Sequence, residues 1–177
     1  MAIHLIIDGY NLIRQSQTFG ALDRRDIALG REALVSHLAA YRRVRPHRIT
    51  VVFDGAQAPA FTPDRDRHKG VRILFSRAGE SADAVIVRMA RKERELALVV
   101  SSDGAVARAA EAGGAAVIGA PEFEDRMAMA MAMALQGSEP GDGAEEDLPR
   151  RTSTRKKGEG WKLPRRTRRN RLKTAKL

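Results

Sequence analysis

Cysteine is absent from the 177 residues. Disulfides and thiolate metal sites are therefore excluded, and any metal ligand must be an oxygen or imidazole donor. No apolar run approaches the ~20 residues needed to cross a bilayer. The first residues also lack the basic flank and small-residue cleavage site of a signal peptide. A soluble, cytoplasmic protein with no membrane contact is expected. An excess of positive charge is missing from most of the chain as well. Of the 32 Lys and Arg and the 22 Asp and Glu, residues 150–177 hold 13 and one, which leaves 19 and 21 for residues 1–149. The formal charge of +10 thus describes an appended basic segment on a slightly acidic body.

What is present is a repeated event. Ile3-His4-Leu5-Ile6-Ile7 ends on Asp8-Gly9, Ile49-Thr50-Val51-Val52-Phe53 ends on Asp54-Gly55, and Ala97-Leu98-Val99-Val100-Ser101-Ser102 ends on Asp103-Gly104. Short apolar runs bounded by turn residues read as buried parallel strands. In α/β sheets, ligands bind beyond the carboxyl ends of the strands. Any one Asp-Gly after a strand is a common turn signal, but three of them shift the reading towards a site in which the carboxylates converge on one sheet edge.

The intervening segments complete an α/β pattern. Residues 14–26 read as polar and irregular. Ile27, Leu34, Leu38 and Tyr41 form a helical stripe, and Pro46 follows it. Residues 57–70 carry two prolines and the charged run Asp64-Arg65-Asp66-Arg67-His68-Lys69, and read as an exposed loop beside the site. Arg65, Arg67 and Lys69 are its candidate phosphate contacts. A strand at 71–75 and a helix from Ser81, its expected N-cap, to about Arg94 come next. A helix at 105–112, a strand at 115–118 and a last helix from Pro121 close the body. Such alternation implies a central parallel sheet with helices on both faces. The expected organisation is a body over 1–136, an acidic Gly- and Pro-containing linker over 137–149 and a disordered Arg- and Lys-rich tail over 150–177.

Clustered carboxylates repel and need a compensating cation. With hard oxygen donors and no thiolate, that cation is Mg²⁺ or Mn²⁺, which completes its shell with water and substrate phosphate. Phosphoryl chemistry with an ion-activated water follows. Glu80 and Asp83, three apart on one helix face, are further candidates, although both also suit a helix N-terminus. Asn11 follows Asp8 by three residues. Met127, Met129, Met131 and Met133 alternate with alanine over nearly all faces of the last helix, which suits core packing or a partner contact.

These residues resemble a known family. Ile6-Ile7-Asp8-Gly9-Tyr10-Asn11-Leu12 is similar to the opening motif of NYN domains in the PIN-like nuclease superfamily. Val51-Val52-Phe53-Asp54-Gly55, Gly79-Glu80-Ser81-Ala82-Asp83 and Val99-Val100-Ser101-Ser102-Asp103 resemble the later motifs of the YacP-like branch. Ser81 replaces the usual threonine, and the likeness covers residues 3–135. It implies a PIN-like three-layer α/β/α sandwich with a divalent-metal site at Asp8, Asp83 and Asp103, supported by Asn11, Asp54 and Glu80. It also implies endoribonuclease activity, in some members on mRNA associated with ribosomes. RNA is then the expected partner, with the ribosome a further one. The competing expectation is an RNA- or ribosome-binding module that keeps the acidic site without turnover. A phosphatase with Asp8 as covalent nucleophile ranks below both, because Tyr10 stands where that chemistry wants a second acid. In the tail, Trp161, Arg165, Arg166, Arg168, Arg169 and Arg171 suit stacking and bidentate phosphate contacts.

Overall fold

The computed structural model describes residues 3–58, 65–136, 173, 174 and 177. Six strands form one sheet in the order β3-β4-β2-β1-β5-β6. Strand β1 (His4–Asp8) lies at its middle, between β2 (Arg48–Phe53) and β5 (Ala97–Val100), both parallel to it. Strand β4 (Val71–Phe75) adds outside β2, and β6 (Ala116–Ile118) outside β5. The three central strands are apolar on both faces and buried on both, as the uninterrupted runs require.

Helices cover the two faces unequally. Helices α1 (Gly9–Gln15), α2 (Gln17–Asp23), α3 (Ile27–Val44) and α6 (Ala120–Gln136) pack over the face that carries Leu5, Ile7, Val51, Phe53, Leu98 and Val100. Helices α4 (Ala82–Glu93) and α5 (Gly104–Ala112) pack over Ile6, Val52 and Val99. This is the expected α/β/α sandwich. The chain builds from β1 towards β2 and β4 with its helices on one face, then returns to β5 and β6 with its helices on the other. That is the arrangement right-handed crossovers produce, and it leaves a topological switch point between β1 and β5.

Two expectations need correction. Residues 14–26 are not irregular. They finish α1 and form α2, joined at the buried Ser16, which ends one helix and caps the next by accepting from the Phe19 amide at 3.1 Å. Each helix is only seven residues long, too short for a periodic stripe to stand out. The segment 57–70, expected as an exposed loop, also contains a strand. Arg65–His68 forms β3, an edge strand antiparallel to β4. Lys69 and Gly70, with φ of 45° and 88°, make the two-residue turn whose twist matches a tight hairpin. Charged residues suit an edge strand because they discourage pairing with another chain.

Helix α6 divides its methionines. Met127 is buried and Met131 packs against the core, whereas Met129 and Met133 are exposed. Of the basic tail, Lys173, Thr174 and Leu177 are described, and they lie on the body. Leu177 is buried and its carbonyl accepts from Tyr41 Oη at 3.0 Å. The Thr174 carbonyl accepts from Arg126 at 2.7 Å, and Lys173 Nζ donates to the Ala97 carbonyl at 3.2 Å. Trp161, Arg165, Arg166, Arg168, Arg169 and Arg171 lie outside the described residues, as do the linker and residues 59–64. No helix among the described residues is long and apolar enough to cross a membrane.

Candidate active site

Each strand-end aspartate caps the helical turn that follows it. Asp8 Oδ1 accepts from the Asn11 amide at 3.2 Å, and Asp54 Oδ1 from the Ala56 amide at 2.9 Å. Asp103 Oδ1 accepts from the Ala105 and Val106 amides at 2.7 and 2.9 Å. The turn reading of Asp-Gly therefore holds at all three positions. One carboxylate oxygen satisfies backbone donors, and the glycine lets the chain turn under close neighbours. A Cβ on Gly9 would overlap the Phe53 ring, and one on Gly55 would overlap the Ser76 carbonyl oxygen. Asp83 arrives differently, from the first turn of α4, behind the Ser81 cap that accepts from the Ala84 amide at 3.2 Å.

The switch point joins the two halves of the site. Ser101, buried after β5, donates from Oγ to Asp8 Oδ2 at 3.2 Å and accepts from the Asp103 amide at 3.2 Å. Asn11 Oδ1 accepts from the Ser102 amide at 2.8 Å. Ser102 Oγ in turn accepts from the Ala120 amide at 3.0 Å, fixing the start of α6. These bonds tie the end of β1 to the end of β5 across some ninety residues of sequence.

The carboxylates feel one another. Burial raises the pKa of Asp8, bonds from Asn11 and Ser101 oppose the rise, and the charges of Asp83 and Asp103 add to it. Asp83 is raised by partial burial and by Asp103 and Asp54. Asp103 moves the other way, held low by the Val106 and Ala105 amides. Asp8, Asp54, Asp83 and Asp103 thus share one edge of the sheet. Glu80 is ion-paired with Arg88, eight residues further along. Arg67 and Lys69 are exposed on the β3 hairpin, while the Arg65 side chain lies outside the description.

Carboxylate and amide oxygens are the donor set that hard divalent cations prefer. Among the described residues, however, no group of three His, Asp or Glu side chains is arranged to hold an ion. The three capping oxygens are already turned onto backbone amides. An ion here would draw on the remaining oxygens and keep water in its shell, as Mg²⁺ does.

Arg31 is a member of this edge that sequence reasoning missed. It is buried, and its guanidinium donates to Tyr10 Oη at 2.8 Å and to the Gln57 carbonyl at 3.0 Å. It thereby ties α3 to the turns that follow Asp8 and Asp54. The available signal was a charge on the inward stripe of α3, four residues after Ile27 and three before Leu34.

Comparison with known proteins agrees with this architecture. The family model of the YacP-like NYN domain matches residues 5–165. That span passes the limit of the sequence motifs and enters the basic tail. The uncharacterized protein YacP of Bacillus subtilis (strain 168) is 27% identical over 93 residues, 52% of this chain and 54% of that protein. The aligned region therefore spans about half the length of that relative. The crystal structure of Rae1 (YacP) from Bacillus subtilis superposes with a TM-score of 0.65 at 25% identity, covering 77% of this chain and 79% of that one. A tryptophan-to-leucine mutant of the same protein gives 0.61 at 23% identity over 78% and 86%, a likeness of fold. With the family model spanning most of its length, the chain belongs to the YacP-like NYN domains, within the PIN-like nuclease family.

Proposed function

We propose that this protein is a metal-dependent endoribonuclease that cuts single-stranded RNA, with ribosome-associated mRNA as a substrate. The observation that carries the reading is the meeting of Asp8, Asp83 and Asp103, with Asp54 beside them, at the switch point of a nuclease-family chain. Asp8, Asp83 and Asp103 would hold Mg²⁺ or Mn²⁺. When bound, such an ion supplies a water of lowered pKa and stabilises charge on the phosphate. The residues do the positioning. Ser101 orients the Asp8 carboxylate, Asn11 fixes the distance between the β1 and β5 ends, and the Ala105 and Val106 amides keep Asp103 ionised to face a cation. Asp8 and Asp83, whose pKa values are raised, favour a nearby cation that removes their mutual repulsion.

A second reading, a non-catalytic RNA- or ribosome-binding module, is favoured by one observation. No described trio of side chains is arranged to hold an ion. One experiment separates the two. Purified protein is incubated with RNA, alone and on ribosomes, with Mg²⁺, Mn²⁺ or a chelator, and the RNA ends are sequenced. New ends that need the metal and vanish with Asp8→Asn support the nuclease. Retained binding with no metal-dependent ends supports the module. In either case Arg67, Lys69 and the basic tail are proposed RNA contacts. A log–log salt slope near −4, from about six phosphate contacts, should flatten by about that amount when residues 150–172 are deleted.

A further inference from the structure

The helical cover of the sheet is incomplete on the α4 side. Helix α4 packs over β1, β5 and β2 but leaves the flank of β4 open. A cleft of about 450 Å³ lies there, walled by Val85 and Met89 of α4 and by Leu74 of β4. Arg72, Arg88 and Lys92 stand exposed along it. The hairpin register adds a fourth cation. Arg67 pairs directly with Arg72, and directly opposed residues project from the same face of a sheet.

Charge is sorted by face on this hairpin. Arg67 shares a face with Arg72, whereas Asp66 and His68 project to the α3 side. The α3 side has a cleft of similar size, about 440 Å³, whose lining carries the acids Asp66 and Glu32 beside Arg31. The acid lining the α4 cleft, Glu93, and the acid beside Arg88, Glu80, are already matched. Glu93 lies 2.5 Å from Arg48, and Glu80 pairs with Arg88. Arg67, Arg72 and Lys92 remain as a cationic surplus on one side of the sheet. Charges placed only for solubility have no reason to segregate by face in this way.

The cleft also has a direction. Helix α4 begins at the acidic edge with Asp83, and Arg88 and Lys92 follow about one and a half and about two and a half turns later. At 1.5 Å per residue, Lys92 lies about 13 Å from Asp83 along the axis. Arg88, paired with Glu80, lines the cleft between Asp83 and Lys92 in sequence along α4.

We propose that this cleft is a track for the backbone of single-stranded RNA, leading away from the acidic edge along α4. The proposal rests on the RNA-nuclease reading and adds the path the strand takes. Arg67, Arg72 and Lys92 hold successive phosphates, and Arg88 exchanges Glu80 for a phosphate when the strand enters. The apolar walls are aliphatic, and the one ring in the lining, His4, is buried at the floor and held by Thr50 and Arg48, so binding here is independent of sequence and dominated by phosphate contacts.

The test is binding of a fluorescent uridine oligomer to the full chain in chelator, over a series of salt concentrations. Arg72→Glu/Lys92→Glu is compared with Arg24→Glu/Arg25→Glu, exposed cations beyond the opposite face. Losing two phosphate contacts should flatten the log–log slope by about 1.4 in the cleft variant and far less in the control. Arg67→Glu, alone on the edge strand, should flatten it by about half as much. An unchanged slope in both cleft variants, equal losses in cleft and control variants, or no RNA binding by the wild type would each overturn the track. Binding of a polyglutamate peptide in place of the RNA would overturn it in favour of an acidic protein partner. Cleavage measured on the same variants in a separate assay with Mg²⁺ or Mn²⁺ separates the two levels. Cleft-dependent binding without cleavage leaves the track standing and sinks the nuclease, whereas cleavage with cleft-independent binding does the reverse.

Discussion

Replacing His4 with glutamine should make the protein less sensitive to acid. His4 is buried at the start of β1, where its Nε2 lies 2.8 Å from Thr50 Oγ1 and its Nδ1 lies 2.6 Å from an Arg48 nitrogen. A guanidinium has no acceptor, so Nδ1 must be bare and Nε2 must carry the proton given to Thr50. The ring is therefore neutral, and its 3.4 Å approach to Glu93 is not an ion pair at pH 7. Burial, followed by the Arg48 charge, lowers its pKa from 6.5 to about 4. Between those values the unfolded chain takes up a proton that the folded ring refuses. Acid thus favours unfolding, and stability present above pH 6.5 is lost as pH falls towards 4. At 1.36 kcal/mol per unit, the full effect is about 3 kcal/mol, of which about 2 kcal/mol is gone by pH 5. The half-exposed Arg48 side chain brings solvent to the rim and trims these figures. The assay is urea unfolding of wild type and His4→Gln at pH 7 and pH 5. The wild type should lose about 2 kcal/mol more than the variant over that interval, the carboxylate contributions cancelling in the comparison. Equal losses would refute the neutral, buried imidazole.

Asp8→Asn should abolish metal-dependent cleavage and raise the thermal midpoint at pH 7 in chelator, because burial penalises the charge it removes. A lowered midpoint would make Asp8 a structural residue. Gly55→Ala should destabilise by roughly 3 kcal/mol, since its Cβ meets the fixed Ser76 carbonyl rather than a side chain that can move. Denaturant titration at near-wild-type stability would contradict that backbone contact. Leu177→Ala should cost about 2 kcal/mol, because Leu177 is buried against the body. An unchanged unfolding midpoint would contradict that burial. Ser101→Ala should raise the pKa of Asp8 further by removing a bond to its carboxylate, which an acid-shifted NMR titration of Asp8 would contradict.

Local pattern carried much of this protein. Uninterrupted apolar runs closed by Asp-Gly specify buried strands followed by capped turns, so β1, β2 and β5 and the placing of Asp8, Asp54 and Asp103 were legible directly. The stripe of α3 and the Ser81 cap of α4 were legible for the same reason, as periodicity and capping act within a few residues. The helical pair at 9–23 was not, since seven-residue helices show too little of a period. Nor was β3, because an edge strand pairs on one side and tolerates charge where a central strand does not. Only the tertiary structure decided that β1 neighbours β5. That pairing is chosen by crossover handedness and by which faces the helices must bury, not by any local preference. It brings Ser101 to Asp8 and Asn11 to Ser102, sets Asp83 of α4 beside Asp103, and gives Arg31 its partners. The sequence by itself determined which residues could form an acidic edge. The long-range packing decided which of their oxygens are spent on the backbone, and which side of the sheet was left open beside them.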